Sequence, residues 1–265
     1  LINLIGLTIG FTSVVTIAVW IKNELSYDKH LDDFNNIYRL TIEVNNPNGY
    51  HAHFARCWQP WARQLPDHIP DIEKMALFAP LRKTAIKMDD IKFNSNQVFQ
   101  CNSEALNMFD IKIISGNADI ALNQPNMVLI SENLYKTYFQ DLPLMDTIIE
   151  LSGAFATDFT DFKIAGIYKD FPPNTHFHPE ILVSFDDLDS FEGWAYIYFQ
   201  LIDKTDPGQI LQKFDDFSTT HLSEEVRSIS SIHLQPVADI HLKSKKDREI
   251  EKNGDIKVIW LFSGI

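Results

Sequence analysis

The first twenty-one residues, Leu1 to Ile21, read LINLIGLTIGFTSVVTIAVWI and contain no charged side chain. At about 1.5 Å per residue, a helix of that length spans roughly 30 Å, the thickness of a bilayer's hydrocarbon core. A helix buried in a soluble protein normally keeps a polar face toward water. A secretory signal would end in a small-residue cleavage site, where this chain has Lys22-Asn23-Glu24. The run is expected to be a transmembrane helix over residues 1–21. At the other end, residues 258–265 (VIWLFSGI) are apolar or small and open beside Trp260, as the start of a second span would. A core strand would explain the same residues. Together the two ends suggest a domain looped between two membrane helices, taken from a longer membrane protein.

Between them, residues 22–257 supply about 235 residues, enough for one large domain or two small ones. The net charge of −13 argues against nucleic acid as a partner, because a surplus of acidic side chains repels a phosphate backbone. Lys22 to Val44 carries more Asp and Glu than Lys and Arg, which favours a place outside the cytoplasm. Cys57 and Cys101 are the two cysteines. They are able to pair in an oxidising compartment, and equally able to be simply buried.

Within the apolar run, Asn3, Gly6, Gly10 and Ser13 recur at three- and four-residue spacing. Gly6-x-x-x-Gly10 is a small-xxx-small pair, which lets a second helix approach closely in lipid. Gly6, Gly10 and Ser13 are therefore the candidate helix-packing positions. Glu24 to Ile37 reads as helical or turning, with Leu31, Phe34 and Ile37 on one face. Tyr38, Leu40, Ile42 and Val44 then alternate with polar residues as a half-buried strand, closed by the turn at 45–49. Phe54 to Leu65 reads as an amphipathic helix kinked at Pro60 and stopped by Pro66 and Pro70. Strands are expected at 74–81, 84–88, 97–101, 111–114, 127–130, 162–168, 195–202 and 232–236. Helices are expected at 104–109 after Ser103, at 132–139 after Ser131, and at 206–222. Strands and helices in no regular order make the domain α+β.

The chain has ten glycines and no phosphate-cradling loop, no Gly-x-Ser-x-Gly elbow, no Cys-x-x-Cys and no His-Glu-x-x-His. No catalytic residue, cofactor or metal is assigned, and any energy source must lie on another domain or chain. His176, His178 and Glu180 would share one face of an extended strand, as zinc ligands do. The preceding Pro172-Pro173-Asn174 favours instead a polar turn anchored by Phe177. His51-x-His53 has the same spacing beside a turn. Residues 186–193 (DDLDSFEG) imitate a calcium loop, but Phe191 stands where an oxygen ligand belongs. Trp58, Trp61 and Trp194 are candidates for a partner surface or, more simply, for groove-filling core.

Several blocks carry a family resemblance. Glu24-Leu25-Ser26-Tyr27-Asp28, directly after the apolar run, and Ile37-Tyr38-Arg39-Leu40 resemble the opening of MacB-like periplasmic core domains, found in FtsX-type permeases of ABC transporters, especially in Bacteroidetes-like bacteria. Phe109 to Gly116, Val128 to Glu132, and Tyr138-Phe139 are similar to that family's strand and helix-end signatures. Gly166 to Phe177 (GIYKDFPPNTHF) is similar to its most recognisable stretch, and Asp239-Ile240-His241-Leu242 to its exit. The sequence departs from the pattern at Gln140 and at Leu144-Met145-Asp146, where the family has turn glycines.

The resemblance implies two lobes, one a porter-like βαβ lobe and the other inserted at about residues 96–191. It implies a domain in the periplasm of a cell inner membrane, a cytoplasmic ABC ATPase partner and a permease dimer. The implied function is transmission of ATP hydrolysis into export or extraction of a peptide, drug or lipoprotein. It carries over no catalytic residue and places His176 in a turn. A ligand-sensing receptor domain and a membrane-anchored hydrolase are the alternatives. The first would show a closed pocket, the second convergent ionisable groups in a cleft.

Overall fold

A computed structural model describes residues 2–140, 147–153 and 158–264 of the chain. The apolar run forms the helix α1, Ile2–Glu24. Its window of highest mean hydropathy, 2.1, has none of its residues buried. Three of its four hydroxyls are satisfied within the helix: Thr8, Ser13 and Thr16 each donate to the carbonyl four residues back, at 2.8 Å. A lipid-facing helix requires this, because no water is present to accept those hydrogens.

The rest is built on one mixed sheet. Its strands in chain order are β1 (Ile37–Asn45), β2 (His51–Phe54), β3 (Cys57–Trp58), β4 (Ile72–Pro80), β5 (Thr84–Met88), β6 (Ile91–Ser95) and β7 (Val98–Cys101). They continue with β8 (Ile113–Gly116), β9 (Met127–Ser131), β10 (Ile148–Ser152), β11 (Thr160–Tyr168), β12 (Ile181–Val183), β13 (Trp194–Leu201) and β14 (Ser230–Pro236). The spatial order is β14-β1-β13-β4-β7-β12-β9-β11-β10-β5-β6, with β2, β3 and β8 paired alongside. Only β7 with β12 and β9 with β11 are parallel among the pairs on this path. The segment between β4 and β13 thus builds one half of the sheet, and β14, β1, β13 and β4 build the other.

Side-chain alternation explains how both faces are covered. Ala76 and Phe78 of β4, Tyr196 and Tyr198 of β13, Phe99 of β7, Leu182 of β12 and Leu129 of β9 feed one core that crosses both halves. Their neighbours point the other way into two separate cores. One holds Leu77, Ala79, Ile197 and Phe199. The other holds Val98, Val128, Ile130, Ile181 and Val183. The first of these is closed by the helix Pro207–His221, which Asp206 caps and which buries Ile210, Phe214 and Phe217. The other face of the sheet is therefore divided at the β4–β7 seam, where Ala79 pairs with Gln100.

Several sequence-based expectations change. The helix expected over 54–65 is instead β2, β3 and two single turns, Gln59–Ala62 and Leu65–His68. Pro60 and Pro66 open those turns, because an N-terminal helical position needs no amide donor. Ser131 does cap its helix, accepting from the Leu134 amide, but from Tyr135 to Phe139 the helix widens to π geometry. Ser103 makes no side-chain cap bond. The strand expected at 111–114 lies at 113–116, and 258–263 belong to the helix Ile256–Ser263. Gln140 follows the π turn. Leu144, Met145, Asp146 and Ile265 lie outside the described residues.

Candidate functional site

The end of α1 is where a specific joint has to be built, because Glu24 and Ser26 must pass from lipid to a folded sheet. Asp28 adopts φ +60°, a left-handed turn that Asp tolerates better than most residues. This turn drives the Asp28 carboxylate into the protein, where its residue is 1 % exposed. There Oδ1 accepts from the Thr175 hydroxyl at 2.6 Å and the His176 amide at 3.1 Å, and faces His176 Nδ1 at 2.8 Å. The other imidazole nitrogen, Nε2, lies 2.8 Å from the Tyr198 hydroxyl on β13. Burial pushes the Asp28 carboxyl up, but the His176 charge and the hydrogen bonds of His176 and Thr175 together hold it below its ordinary value.

The backbone repeats the clasp. The Asp28 amide donates to the Asn174 carbonyl at 2.9 Å, and Asn174 Nδ2 donates to Ser26 O and Oγ at 3.1 and 2.9 Å. The two most recognisable sequence blocks, 24–28 and 172–176, are thus one joint.

The returning chain closes it from the other side. Glu24 Oε2 lies 2.7 Å from His241 Nε2, and the Tyr27 ring stacks on His241. Gly254 fits beneath them: a Cβ there would meet Glu24 Oε2 at 3.0 Å and His241 Nε2 at 3.1 Å. The His178 amide donates to Glu251 Oε1 at 2.7 Å, and its imidazole faces both Glu251 oxygens at 3.1 Å. The Glu251 hydrogen bond raises the His178 pKa against burial. Arg39 of β1, fully buried, donates to Glu249 at 2.6 and 2.9 Å and to Gln235 at 2.8 Å. Ser244 donates to the same carboxylate. Beyond this segment the helix Ile256–Ser263 returns to α1, with Phe262 edge-on to Trp20 at 5.8 Å.

The sequence-derived candidates separate accordingly. His176, His178 and Glu180 do not converge: they bind Asp28, Glu251 and Ser95 respectively. The zinc-face arrangement fails because the segment is a turn, in which successive side chains no longer share a face. His51 pairs with Glu43, and His53 sits 3.0 Å from the Thr41 hydroxyl. Among the described residues no cluster of His, Cys, Asp or Glu is arranged to hold a metal ion. Residues 186–193 form a loop tied down by Arg63, which donates to the Leu188 and Asp189 carbonyls. Trp58 and Trp194 meet edge-on at 6.2 Å, and Trp61 and Trp194 pack on the core, so these rings fill a groove. Cys57 and Cys101 are free and buried, in different cores, and burial pushes both thiols up. A Cβ added at Gly6 or at Gly10 would meet nothing within 4 Å, and Ser13 is exposed. What the residue-by-residue reading missed is the Arg39–Glu249 pair. Its partners are far apart in sequence, and an arginine within a strand carries no local sign of burial.

Comparison with known proteins shows which family the chain belongs to. The family model of the MacB-like periplasmic core domain matches residues 1–217. The chain belongs to this family. It is an extracytoplasmic domain of a MacB-like permease, attached to an apolar helix long enough to span a membrane. Solved structures share the fold at low identity. A domain described as part of a permease from Porphyromonas gingivalis aligns with TM-score 0.66 at 17% identity, over 87% of this chain and 98% of that one. The extracellular domain of the noncanonic ABC-type transporter YknZ from Gram-positive bacteria gives 0.55 at 11%, over 76% and 100%. The periplasmic region of MacB from Actinobacillus actinomycetemcomitans gives 0.51 at 11%, over 77% and 90%. No curated protein matches the chain.

Proposed function

We propose that this MacB-like domain is the moving extracytoplasmic part of an ABC transporter permease. In this reading a cytoplasmic ATPase moves α1, and the joint at Asp28 passes that motion to the sheet. The permease works as a dimer in a cell inner membrane, with the domain in the periplasm. It drives export or extraction of a substrate such as a peptide, drug or lipoprotein. The helix Ile256–Ser263 is the opening of a second span, and Gly6, Gly10 and Ser13 are the face of α1 against which another membrane helix packs. The two lobes meet at the β4–β7 seam, with the inserted lobe at about residues 96–191 extended back by β5 and β6.

One observation carries the reading. The residue block that leaves the membrane helix is bound through a buried carboxylate, not through a slack linker. A purely anchoring tether gains nothing from burying a charge, which is costly here because Asp28 Oδ2 is buried without a hydrogen-bond partner among the described residues. A force-bearing joint needs a defined geometry, and Asp28 receives three partners in one.

The test is the coupling ratio of the full transporter. Asp28→Ala in the complete permease–ATPase complex is expected to leave most of the ATP hydrolysis while export per ATP falls about tenfold or more, the scale of losing a few kcal/mol at one joint. Export and hydrolysis falling in equal proportion, or neither changing, would contradict the role.

A further inference from the structure

A second feature lies at the β4–β7 seam, beside the returning segment. A concave pocket of about 380 Å³ is lined there by Arg82, Lys83, Asn96, Gln97, Tyr196 and Glu249, among others. We propose that this pocket binds a small, multiply charged oxyanion, a carboxylate or a phosphate, through Arg82 and Lys83 with Arg56 behind them.

The charge balance is the first argument. In a chain of net charge −13, this site gathers cations without their counter-charges. Among the described residues, Arg56, Arg82, Lys83 and Arg248 form no ion pair with a carboxylate. The one carboxylate on the wall, Glu249, is already held bidentately by the buried Arg39. Burial presses the Arg56 guanidinium below its usual range; Tyr196 opposes this, and Arg82 and Arg248 add to it. Such a cluster is relieved by an anion.

The donors are also free to act. Arg56 Nε is buried with no hydrogen-bond partner. The Tyr196 hydroxyl donates to the Arg248 carbonyl at 2.6 Å, and Arg82 Nη2 approaches that same hydroxyl oxygen only at 3.5 Å, leaving its fork of N–H groups uncommitted. Asn96 accepts from the Lys83 amide through Oδ1 at 3.0 Å, so its NH₂ remains a further donor in the pocket wall. Lys83 and Arg248 both sit at positive φ, +56° and +62°, positions where glycine or asparagine would be unstrained. Guanidinium forks and amides together match planar carboxylates and tetrahedral phosphates.

The test uses the chain in detergent micelles at low ionic strength, with citrate and inorganic phosphate as separate probes. Binding is read by calorimetry and by tryptophan emission, because Arg56 stands 6.0 Å over the Trp194 ring. At least one probe is expected to saturate a single site, and which one does tells the carboxylate from the phosphate source. Arg82 is exposed, so Arg82→Gln keeps the fold and is expected to weaken binding about tenfold, as losing a charge-assisted pair does. Lys136→Gln, a surface cation already paired with Glu132, is expected to leave binding unchanged. The proposal is overturned if neither probe saturates, if Arg82→Gln binds like the parent, or if Lys136→Gln weakens binding equally.

Discussion

At the scale of single residues, Asp28 decides the most. Its oxygen Oδ1 serves a hydroxyl, a backbone amide and an imidazole at once. Asp28→Ala leaves those three donors without their acceptor in a buried site, and is expected to cost about 3 kcal/mol in chemical denaturation. Asp28→Asn tests the charge. Because the folded carboxyl is held below its ordinary 3.8, its contribution is present above pH 3.8 and is lost as pH falls through the lower folded value. The parent's stability margin over Asp28→Asn is therefore expected to narrow on acidification below that pH. A margin that stays constant would mean the carboxylate charge is not what Asp28 supplies. His178 works with the opposite sign. Its folded pKa is raised above 6.5 by Glu251, so its contribution is complete below pH 6.5 and disappears as pH rises through the folded value. His178→Gln should thus be more destabilising at pH 6 than at pH 8.5, by a small amount, because the pair is partly exposed to water.

At the scale of elements, close approach governs β8 and β11. Gly116 has φ +96° and lies opposite Gly166 in the β8–β11 pair. A Cβ on Gly116 would run into the Ala165 carbonyl, and one on Gly166 would stand 2.6 Å from Ser115 O. Gly116→Ala is expected to destabilise by about 2 kcal/mol, read as a lowered midpoint in denaturation, whereas Gly49→Ala on an open turn should cost less. In α1 the argument is about partners. Gly6→Ile with Gly10→Ile fills a face that touches nothing within the chain, so fold stability should not change. Assembly of the permease in the membrane should weaken, measured by co-purification of its subunits, and unchanged assembly would mean the glycine spacing is incidental. Elements with strong periodicity are legible in the sequence: β1 and the capped helix after Asp206 both form, although β1 is buried on both faces, with Arg39 and Thr41 fully enclosed, where the alternation predicted a half-buried strand. The stretch from Phe54 to Leu65 is not. Its apolar spacing mimics a helix, while pairing of β2 with β1 and of β3 with β13 claims those residues for the sheet. Nor is β12, because three buried residues have no periodicity to read.

At the scale of the whole molecule, the sheet is continuous but its cores are not. One face holds a core that crosses both halves, and the other is divided at the β4–β7 seam. α1 reaches this frame through Glu24, Ser26 and Asp28, against the turn at 172–176 and the returning segment at 239–254. The family and the anchoring helix are legible in the sequence, as are the blocks that form the joint. Their mutual contact is not, because Asp28 and His176 are brought together only by the fold, and each looks like an ordinary turn residue alone. The central claim is that this joint carries motion from α1 into the sheet. The most direct measurement is the distance between spin labels at Lys22→Cys and Lys92→Cys in the full transporter, with and without nucleotide; Cys57 and Cys101 are buried and stay unlabelled. The account predicts a nucleotide-dependent distance change that is lost or broadened in Asp28→Ala. A change of the same size in the Asp28→Ala protein, or none in the parent, would contradict it.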